Sequence, residues 1–468
     1  MTCPERRKRP KAGFLLSLVL AVAGALPAGA TNRPSAPADQ AASELYVLDN
    51  GLRVCLMENR AWPLVHVVAA VDLGSKNETA VTNGLSHILE HYVLFRGTNS
   101  RTADEISRDI RRHGAYFNAH TGLDIAQFEL TLPSGQDEFA LGNQRDILFN
   151  LKIDRAAMEA EKEVILKELN QQEDDPLRYA TSLVYQRLFA GHPYALPIAG
   201  TRESISRLTV AQMESYYKAY FTPANVVLAV VGDFSLPEMK EKVARIFGPL
   251  PRAEAPPGQI PSAPSPQDGQ VITLTMDISQ AYCVIGLAGP DYNHPDQYAM
   301  DLLTEILGRG VNPMLNSALS RNRVQAEGLY MSYVAHRHGG VILITLILDP
   351  GTVQAAQRET LSFLRKARTL NFSADEFLDL DRFTAIDYLR SAKNQIRFSS
   401  EKSQEFGLNL AISLARHMIL SSGSAGDGYL KSIGRIASSD LRRVAAKYLG
   451  AGKAIAVSVI PSTKERRR

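Results

Sequence analysis

Strand-like and helical stretches follow one another in two similar rounds along the chain. Each round opens with apolar runs of strand length, continues with stretches that have an apolar residue every three or four positions, and closes with another strand-like run. The strand-like runs are LRVCLMEN, LVHVVAAVDLGS, AQFELTLP and NVVLAVVGDF in the first round, and VITLTMDI, AYCVIGLAGP, GVILITLILDP and AIAVSVIP in the second. This repetition predicts an α+β fold of two homologous domains, each a mostly antiparallel sheet covered by helices.

A proline-rich segment separates the two rounds. Seven prolines lie between Pro249 and Pro266, where they interrupt both helical and strand periodicity. We therefore predict a flexible N-terminal segment at 31–43, an N-terminal domain at 44–250, a linker at 251–267, a C-terminal domain at 268–462 and a basic tail at 463–468.

The first thirty residues differ from the rest of the chain. A basic stretch precedes the 15-residue apolar run AGFLLSLVLAVAGAL and the small residues Ala28-Gly29-Ala30, which is the order of a cleaved secretory signal peptide. The alternative is a retained membrane anchor, but a spanning helix needs about 20 apolar residues. The sequence predicts a signal peptide at 1–30, export to the periplasm in a Gram-negative bacterium or secretion otherwise, and no stable membrane span after cleavage.

Charge and cysteine content exclude two classes of protein. Five of the 52 basic residues and one of the 49 acidic residues lie within residues 1–30, which leaves 47 against 48. This balance disfavours a nucleic-acid partner. Cys55 and Cys283 are the only cysteines after the signal segment, so the chain is not a disulfide scaffold.

The stretch GLSHILEHYVLFRGT, at 84–98, places two histidines four residues apart. In a helix, His87 and His91 lie one turn apart on the same face, with Glu90 beside them. Two imidazoles at this spacing can bind zinc, and the carboxylate between them can accept a proton from a water molecule that the metal activates. The alternative is an amphipathic helix with two half-buried histidines and no metal.

A two-histidine zinc site needs a further protein ligand, normally a carboxylate. In the helical run AAMEAEKEVILKELNQQEDDP, Glu161 and Glu168 are seven residues apart and share a face. One of them can bind the metal while the other orients a histidine. The alternative is a charged helix that only faces solvent.

Four segments together resemble the N-terminal domain of the pitrilysin/insulinase-type zinc peptidases. They are GLSHILEHYVLFRGT, GAYFNAHTGLD, EKEVILKELNQQEDDP and GHPYALPIAGTRESISRLTVAQMESYYKAYFTPANVVLAVVGDF. The likeness is strong over 44–250 and weak beyond, and the two-domain length resembles the half-size branch of bacterial proteins and mitochondrial processing peptidase. It implies one zinc ion per chain, with His87, His91 and Glu168 as the ligands. It also implies that Glu90 is the general base and that Glu161 is the supporting acid.

The resemblance also implies residues that bind substrate. Asn118 and Ala119 match an edge strand of the family, whose backbone pairs with an extended peptide, although a turn residue is the alternative for Asn118. Arg323 and Tyr330 have the seven-residue spacing of a substrate clamp in the second domain. The glycine-rich loop before them departs from the family pattern, so a surface arginine and a packed tyrosine are the alternative.

One further departure concerns the metal motif itself. The segment HYVLFRGT is one residue longer after His91 than the usual family pattern. The extra residue raises the question of whether the histidine face still lies opposite Glu168.

These features predict a zinc metalloendopeptidase that hydrolyses small or unfolded polypeptides. The resemblance implies peptide substrates and either a homodimer or a heterodimer with a paralogous subunit. A non-catalytic or partner-dependent subunit that binds peptides is the alternative, because some relatives lack the zinc site. A zinc-storage protein is disfavoured because storage needs no base beside the ligands.

Overall fold

A computed structural model describes residues 42–253, 260–264, 268–310, 313–370, 372, 388–421 and 428–462 of the chain. The predicted signal peptide and basic tail, most of the segment 31–43 and parts of the linker lie outside the described residues. Within those residues, no helix is long and apolar enough to cross a membrane.

Among the described residues, six strands form the sheet of the first half. They are β1 (Ser43–Val47), β2 (Arg53–Glu58), β3 (Leu64–Val71), β4 (Tyr116–Thr121), β5 (Ala126–Pro133) and β6 (Val226–Gly232). Their order is β1-β2-β6-β3-β5-β4, and the neighbours are antiparallel except for the parallel pair of β2 and β6. β1 and β4 are therefore the edge strands.

The first half also contains helices, most of which cover this sheet and enclose the larger core. They are α1 (Leu85–Phe95), α2 (Ala103–Arg112), α3 (Asp137–Phe149), α4 (Arg155–Asp174), α5 (Pro176–Leu188), α6 (Arg202–Arg207), α7 (Val210–Tyr220) and α8 (Leu236–Phe247). Side chains from α1, α3, α4, α7 and α8 pack with those from the sheet in one apolar cluster.

Five strands form the sheet of the second half. They are β7 (Gln270–Met276), β8 (Ala281–Gly289), β9 (Ala326–His336), β10 (Gly339–Leu348) and β11 (Ile455–Pro461). Their order is β7-β11-β8-β10-β9, again with one parallel pair, β7 and β11. The fold prediction is confirmed, and each sheet is mixed because one parallel pair joins strands that are distant in sequence.

The described helices of the second half continue the same arrangement. They are α9 (Gln297–Thr304), α10 (Met314–Arg321), α11 (Val353–Ala367), α12 (Tyr388–Gln404), α13 (Gly407–Leu420), α14 (Tyr429–Arg435) and α15 (Ser438–Tyr448), and α9 runs on into a π-helical turn at Glu305–Arg309. Strand pairing assigns β6 to the first sheet and β7 to the second, while the exact domain boundaries stay a prediction.

Each half contributes one helix to the other half's sheet. Val184 of α5 packs with Val284 and Val457 of the second sheet. Conversely, Ala415 of α13 packs with Ala229 of the first sheet. This helix exchange covers the face of each sheet that its own half leaves open, and it joins the halves through apolar contacts.

Candidate metal centre

The helix that carries the two histidines begins at a buried carboxylate. The oxygens of Glu78 accept hydrogen bonds from the backbone N–H groups of Gly84, at 2.8 Å, and Ser86, at 2.7 Å. They therefore satisfy donors that a helix N-terminus leaves open. Gly84 has φ +99°, and a Cβ there would lie 2.4 Å from Ile205 Cδ1, so the turn into α1 requires glycine.

The apolar stripe and the polar residues of α1 occupy opposite sides of the helix. The apolar residues face the core and are 1% exposed or less: Leu85, Ile88, Leu89 and Tyr92. With 3.6 residues per turn, His87, Glu90 and His91 lie on the other side. The amphipathic helix and the ligand-bearing face are therefore not alternatives, because one helix provides both.

Helix α4 brings a carboxylate to the two histidines. Glu168 Oε2 lies 3.8 Å from His87 Nε2 and 3.6 Å from His91 Nε2, and one ligand atom from each residue lies within 4.8 Å of the others. Atoms bound to a tetrahedral zinc ion at about 2.0–2.2 Å lie about 3.3–3.6 Å apart. The donor set therefore fits one zinc ion, and the extra residue after His91 does not displace the histidines from Glu168.

Glu161 lies behind His91. His91 Nδ1 is 3.1 Å from Glu161 Oε2, and Arg96 Nη2 is 2.5 Å from the other oxygen of this carboxylate. The Glu161 carboxylate accepts a hydrogen bond from Nδ1–H of His91. The proton is therefore on Nδ1, and the lone pair of Nε2 is directed at the site. By contrast, Nδ1 of His87 is buried without a hydrogen-bond partner in the described part of the chain.

Burial and neighbouring charges shift the pKa values of His87, His91 and Glu90 in different directions. Burial, with a smaller effect from His91, lowers the pKa of His87 to about 4, so this imidazole is neutral at pH 7 and can act as a ligand. Burial alone would lower the pKa of His91, but the hydrogen bond to Glu161 and the nearby carboxylates raise it. Burial raises the pKa of Glu90, which makes its carboxylate a stronger base than an exposed one.

A cavity of about 890 Å³ opens beside these residues, between the two halves of the chain. His87 and Glu90 form part of its wall, and Tyr185 of α5 forms another part. The second half contributes Val334 of β9 and Ile412 of α13. The arrangement gives a ligand of peptide size access to Glu90 and to His87.

The two residues predicted to bind substrate backbone lie on edge strand β4. Asn118 pairs with Glu129 and Ala119 with Phe128, both on β5. No other strand of the described chain pairs with β4. Asn118 is thus a strand residue and not a turn residue, and the outer edge of β4 has backbone groups that an extended peptide can pair with.

Arg323 and Tyr330 are not brought to the metal cluster, and neither belongs to the cavity wall. Arg323 is exposed just before β9, with φ +57°. Tyr330 lies on edge strand β9, opposite Thr345, and is 64% exposed rather than packed. Tyr330 and Val334 are four residues apart on the strand and therefore lie on the same face of it. The role of Arg323 and Tyr330 in substrate binding stays a prediction.

Family models match both halves of the chain. Residues 53–202 match the model described as "Insulinase (Peptidase family M16)", and residues 207–380 match "Peptidase M16 inactive domain". The chain belongs to the M16 peptidase family. Within this family it resembles the half-size branch, because a mitochondrial processing peptidase subunit matches it along 91% of that subunit's length.

Two curated relatives and one solved structure illustrate the M16 membership. "Uncharacterized zinc protease YmxG" of Bacillus subtilis is 27% identical over 69% of this chain and 78% of the relative. "Probable mitochondrial-processing peptidase subunit beta" of Schizosaccharomyces pombe is 27% identical over 90% and 91%. A protease from Helicobacter pylori has the same fold, with a TM-score of 0.82, 21% identity, and coverage of 90% of this chain and 100% of that one.

The relatives' names support a metallopeptidase-family role and zinc in general terms. The sequence had pointed to the ligand face of α1 and to the acidic face of α4. It gave no sign that α5 and α13 supply cavity walls, since that placement depends on the helix exchange.

Proposed function

We propose that this M16 chain is a zinc-dependent endopeptidase that hydrolyses small or unfolded polypeptides. The observation that supports it is the approach of Glu168 to both histidines, at 3.6 and 3.8 Å, beside a buried Glu90 that reaches the interdomain cavity. A storage site would need the ligands without this base.

Each residue has a role in the proposal. His87, His91 and Glu168 would hold one zinc ion per chain, which when bound would supply polarisation of the peptide carbonyl and a pKa of about 7 for a water molecule. Glu90 takes the proton of the attacking water and gives it to the leaving amine. Glu161 keeps the proton of His91 on Nδ1.

The substrate backbone is proposed to extend along the open edge of β4, at Asn118 and Ala119. Strand addition recognises the backbone and not a particular sequence, so it suits unfolded peptides. Arg323 and Tyr330 are proposed to contact the same substrate from the second half. Their exposure is compatible with this role.

The substitution Glu90→Gln tests the base. It keeps the shape of the side chain and removes proton acceptance, so we expect kcat for a quenched fluorogenic peptide to fall at least about 100-fold while zinc content stays at one ion per chain. Glu163→Gln, at an exposed position of α4, is the control and should change neither quantity.

The alternative of a partner-dependent or non-catalytic subunit has a distinct outcome. The S. pombe relative is named a subunit, and we propose that this chain likewise forms a homodimer or pairs with a paralogous chain. Light scattering of the purified protein measures the assembly. Stoichiometric zinc with no cleavage, alone or with the paralogue, would rule out the peptidase proposal.

A further inference from the structure

One cation of the cavity wall has no carboxylate partner in the part of the chain that the structure describes. Arg416 of α13 lines the cavity and is half-buried. Its Nη2 donates only a long hydrogen bond, 3.5 Å, to the carbonyl oxygen of Ala335. Among the described residues, no carboxylate oxygen lies within 4.0 Å of this side chain. A guanidinium has five donors, so most of them are available to a ligand.

Four polar residues of the cavity wall, Asp124, Tyr185, Tyr194 and His336, are engaged with one another or with backbone and do not supply that counter-ion. Asp124 accepts hydrogen bonds from the Tyr194 hydroxyl, at 2.5 Å, and from the backbone N–H of Arg337, at 3.1 Å. Its Oδ2 also lies 3.5 Å from His336 Nδ1. The other ring nitrogen of this histidine is 3.1 Å from the Tyr185 hydroxyl.

The surroundings of Arg416 strengthen any interaction with an anion. Apolar side chains form much of the same cavity wall, among them Leu123, Leu196, Ile198 and Ile412. A charge-assisted hydrogen bond is stronger beside apolar groups than in open water. The planar guanidinium also matches the two oxygens of a carboxylate.

We propose that Arg416 binds a carboxylate of the peptide in the interdomain cavity that Glu90 also lines, and so favours peptides that place a negative charge in this cavity. The carboxylate comes from the peptide C-terminus or from an acidic side chain. A volume of about 890 Å³ holds only a short segment of chain. This inference rests on the proposed peptidase function and defines its substrate class.

The test compares matched peptides with the zinc-loaded protein. In the first pair of peptides, one member has a free C-terminal carboxylate and the other has a C-terminal amide. In the second pair both members have a C-terminal amide, and one has Glu where the other has Gln at a single internal position. For the wild type we expect kcat/KM to favour the carboxylate member of at least one pair by about 10- to 100-fold. Binding of the same peptides to Glu90→Gln is measured in parallel by calorimetry.

Variants of the cation give the decisive comparison. Arg416→Gln should bring the carboxylate-to-neutral ratio near one, and Arg416→Lys should keep part of it because a point charge remains. Arg178→Gln is the matched control. Arg178 lies on the same cavity wall but already has Asp175 at 3.5 Å, so its loss should leave the ratio unchanged. Thermal unfolding verifies that each variant is folded.

The outcomes separate this inference from the proposed function. Discrimination only in the first pair assigns the C-terminus, and discrimination only in the second assigns an acidic side chain. Equal ratios in the wild type, or a ratio that Arg416→Gln leaves unchanged, overturn the inference. If no peptide is cleaved but Glu90→Gln still prefers carboxylates through Arg416, the peptidase proposal fails and carboxylate recognition stands.

Discussion

The two histidines of the candidate metal centre differ in the contacts on the far side of each imidazole ring. His91 has Glu161 behind it, and Arg96 contacts the same carboxylate at 2.5 Å. His87 has no such partner in the described part of the chain. Because a partner behind a ligand fixes the orientation of its ring, the orientation of the site depends mainly on His91, Glu161 and Arg96.

A prediction for Arg96 follows from these contacts. Arg96→Gln removes the cation that neutralises Glu161, so we expect zinc affinity to fall by about 10-fold. Arg96→Lys should recover part of the loss. Competition with a chromophoric chelator measures the affinity. Arg202→Gln is the control. It removes an ion pair of 2.8 Å between Arg202 Nη2 and Glu173 Oε2 at the exposed end of α4, and it should leave zinc affinity at the wild-type value.

At the scale of elements, the exchanged helix α5 approaches its sheet closely at a glycine. A Cβ added to Gly286 of β8 would lie 2.2 Å from Val184 Cγ1 and 3.0 Å from Leu188 Cδ1. Gly286→Ala should therefore lower the free energy of unfolding by about 1–3 kcal/mol, as overpacking does. Denaturant unfolding measures the change.

The control for this prediction is a glycine with open space around it. An added Cβ on Gly142, inside α3, has no heavy atom within 4 Å. Gly142→Ala should raise the free energy of unfolding by about 0.5–1 kcal/mol, because alanine loses less backbone entropy in a helix. If both variants shift stability in the same direction, the close packing of α5 is not the cause.

The same scale shows why part of the fold was predictable. Strands β3 and β6 lie inside the first sheet, are buried on both faces, and read as continuous apolar runs. β1 and β9 are edge strands whose exposed side chains interrupt that pattern, so it does not reveal them. β4 is indicated only by the family resemblance.

The candidate site also contains residues that the sequence predicts and residues that it does not. His87, Glu90 and His91 come from one local spacing, and Glu168 becomes distinct from other acids of α4 only through the resemblance. Arg416 reaches the cavity through the exchange of a helix between distant segments, which no spacing along the sequence encodes.

At the scale of the whole molecule, a partly buried ionic network joins the two halves. Lys76 donates to the carbonyl oxygen of Asp124 at 2.7 Å and lies 3.9 Å from its carboxylate. Arg337, from the second half, forms an ion pair with Asp72 at 2.6 Å, and its backbone N–H donates to Asp124. Acid stability therefore depends on a contact between the halves.

The sign of that dependence follows from Asp124. Burial raises the pKa of its carboxyl, but the hydrogen bond with His336 and the charge of Lys76 outweigh burial and hold the pKa well below the ordinary value. The pKa of an aspartate in the unfolded chain is about 3.9. Because the pKa of Asp124 is lower in the folded protein, its carboxylate stabilises the fold at pH values above about 3.9, and this stabilisation is lost as the pH falls from there toward the folded-state pKa. We expect the free energy of unfolding to decrease below about pH 4.

The variant Asp124→Asn tests this account. It should lower the free energy of unfolding by about 1–3 kcal/mol near neutral pH, because the Tyr194 hydroxyl loses a charged acceptor and Lys76 keeps only Asp72 as an ion-pair partner. It should also flatten the acid limb of the stability profile. Glu203→Gln breaks an exposed pair with Arg207 and should change stability by less than about 1 kcal/mol. An unchanged acid limb in Asp124→Asn would contradict the prediction.

Export is also a property of the whole chain, and it stays a prediction from residues 1–30. Cell fractionation should find the protein outside the cytoplasm, and N-terminal sequencing should begin at Thr31. A product that keeps Met1 and stays with the membrane would show a retained anchor instead.

The helix exchange has a consequence for synthesis on the ribosome. The first sheet has all its strands once Gly232 has emerged, yet α13, which covers one face, is complete only at Leu420. At about 5–20 residues per second, that interval lasts on the order of ten to forty seconds. During it, Val68, Ala229 and Val231 form an uncovered apolar surface, so a nascent chain stalled before α13 should need a chaperone that the finished protein does not.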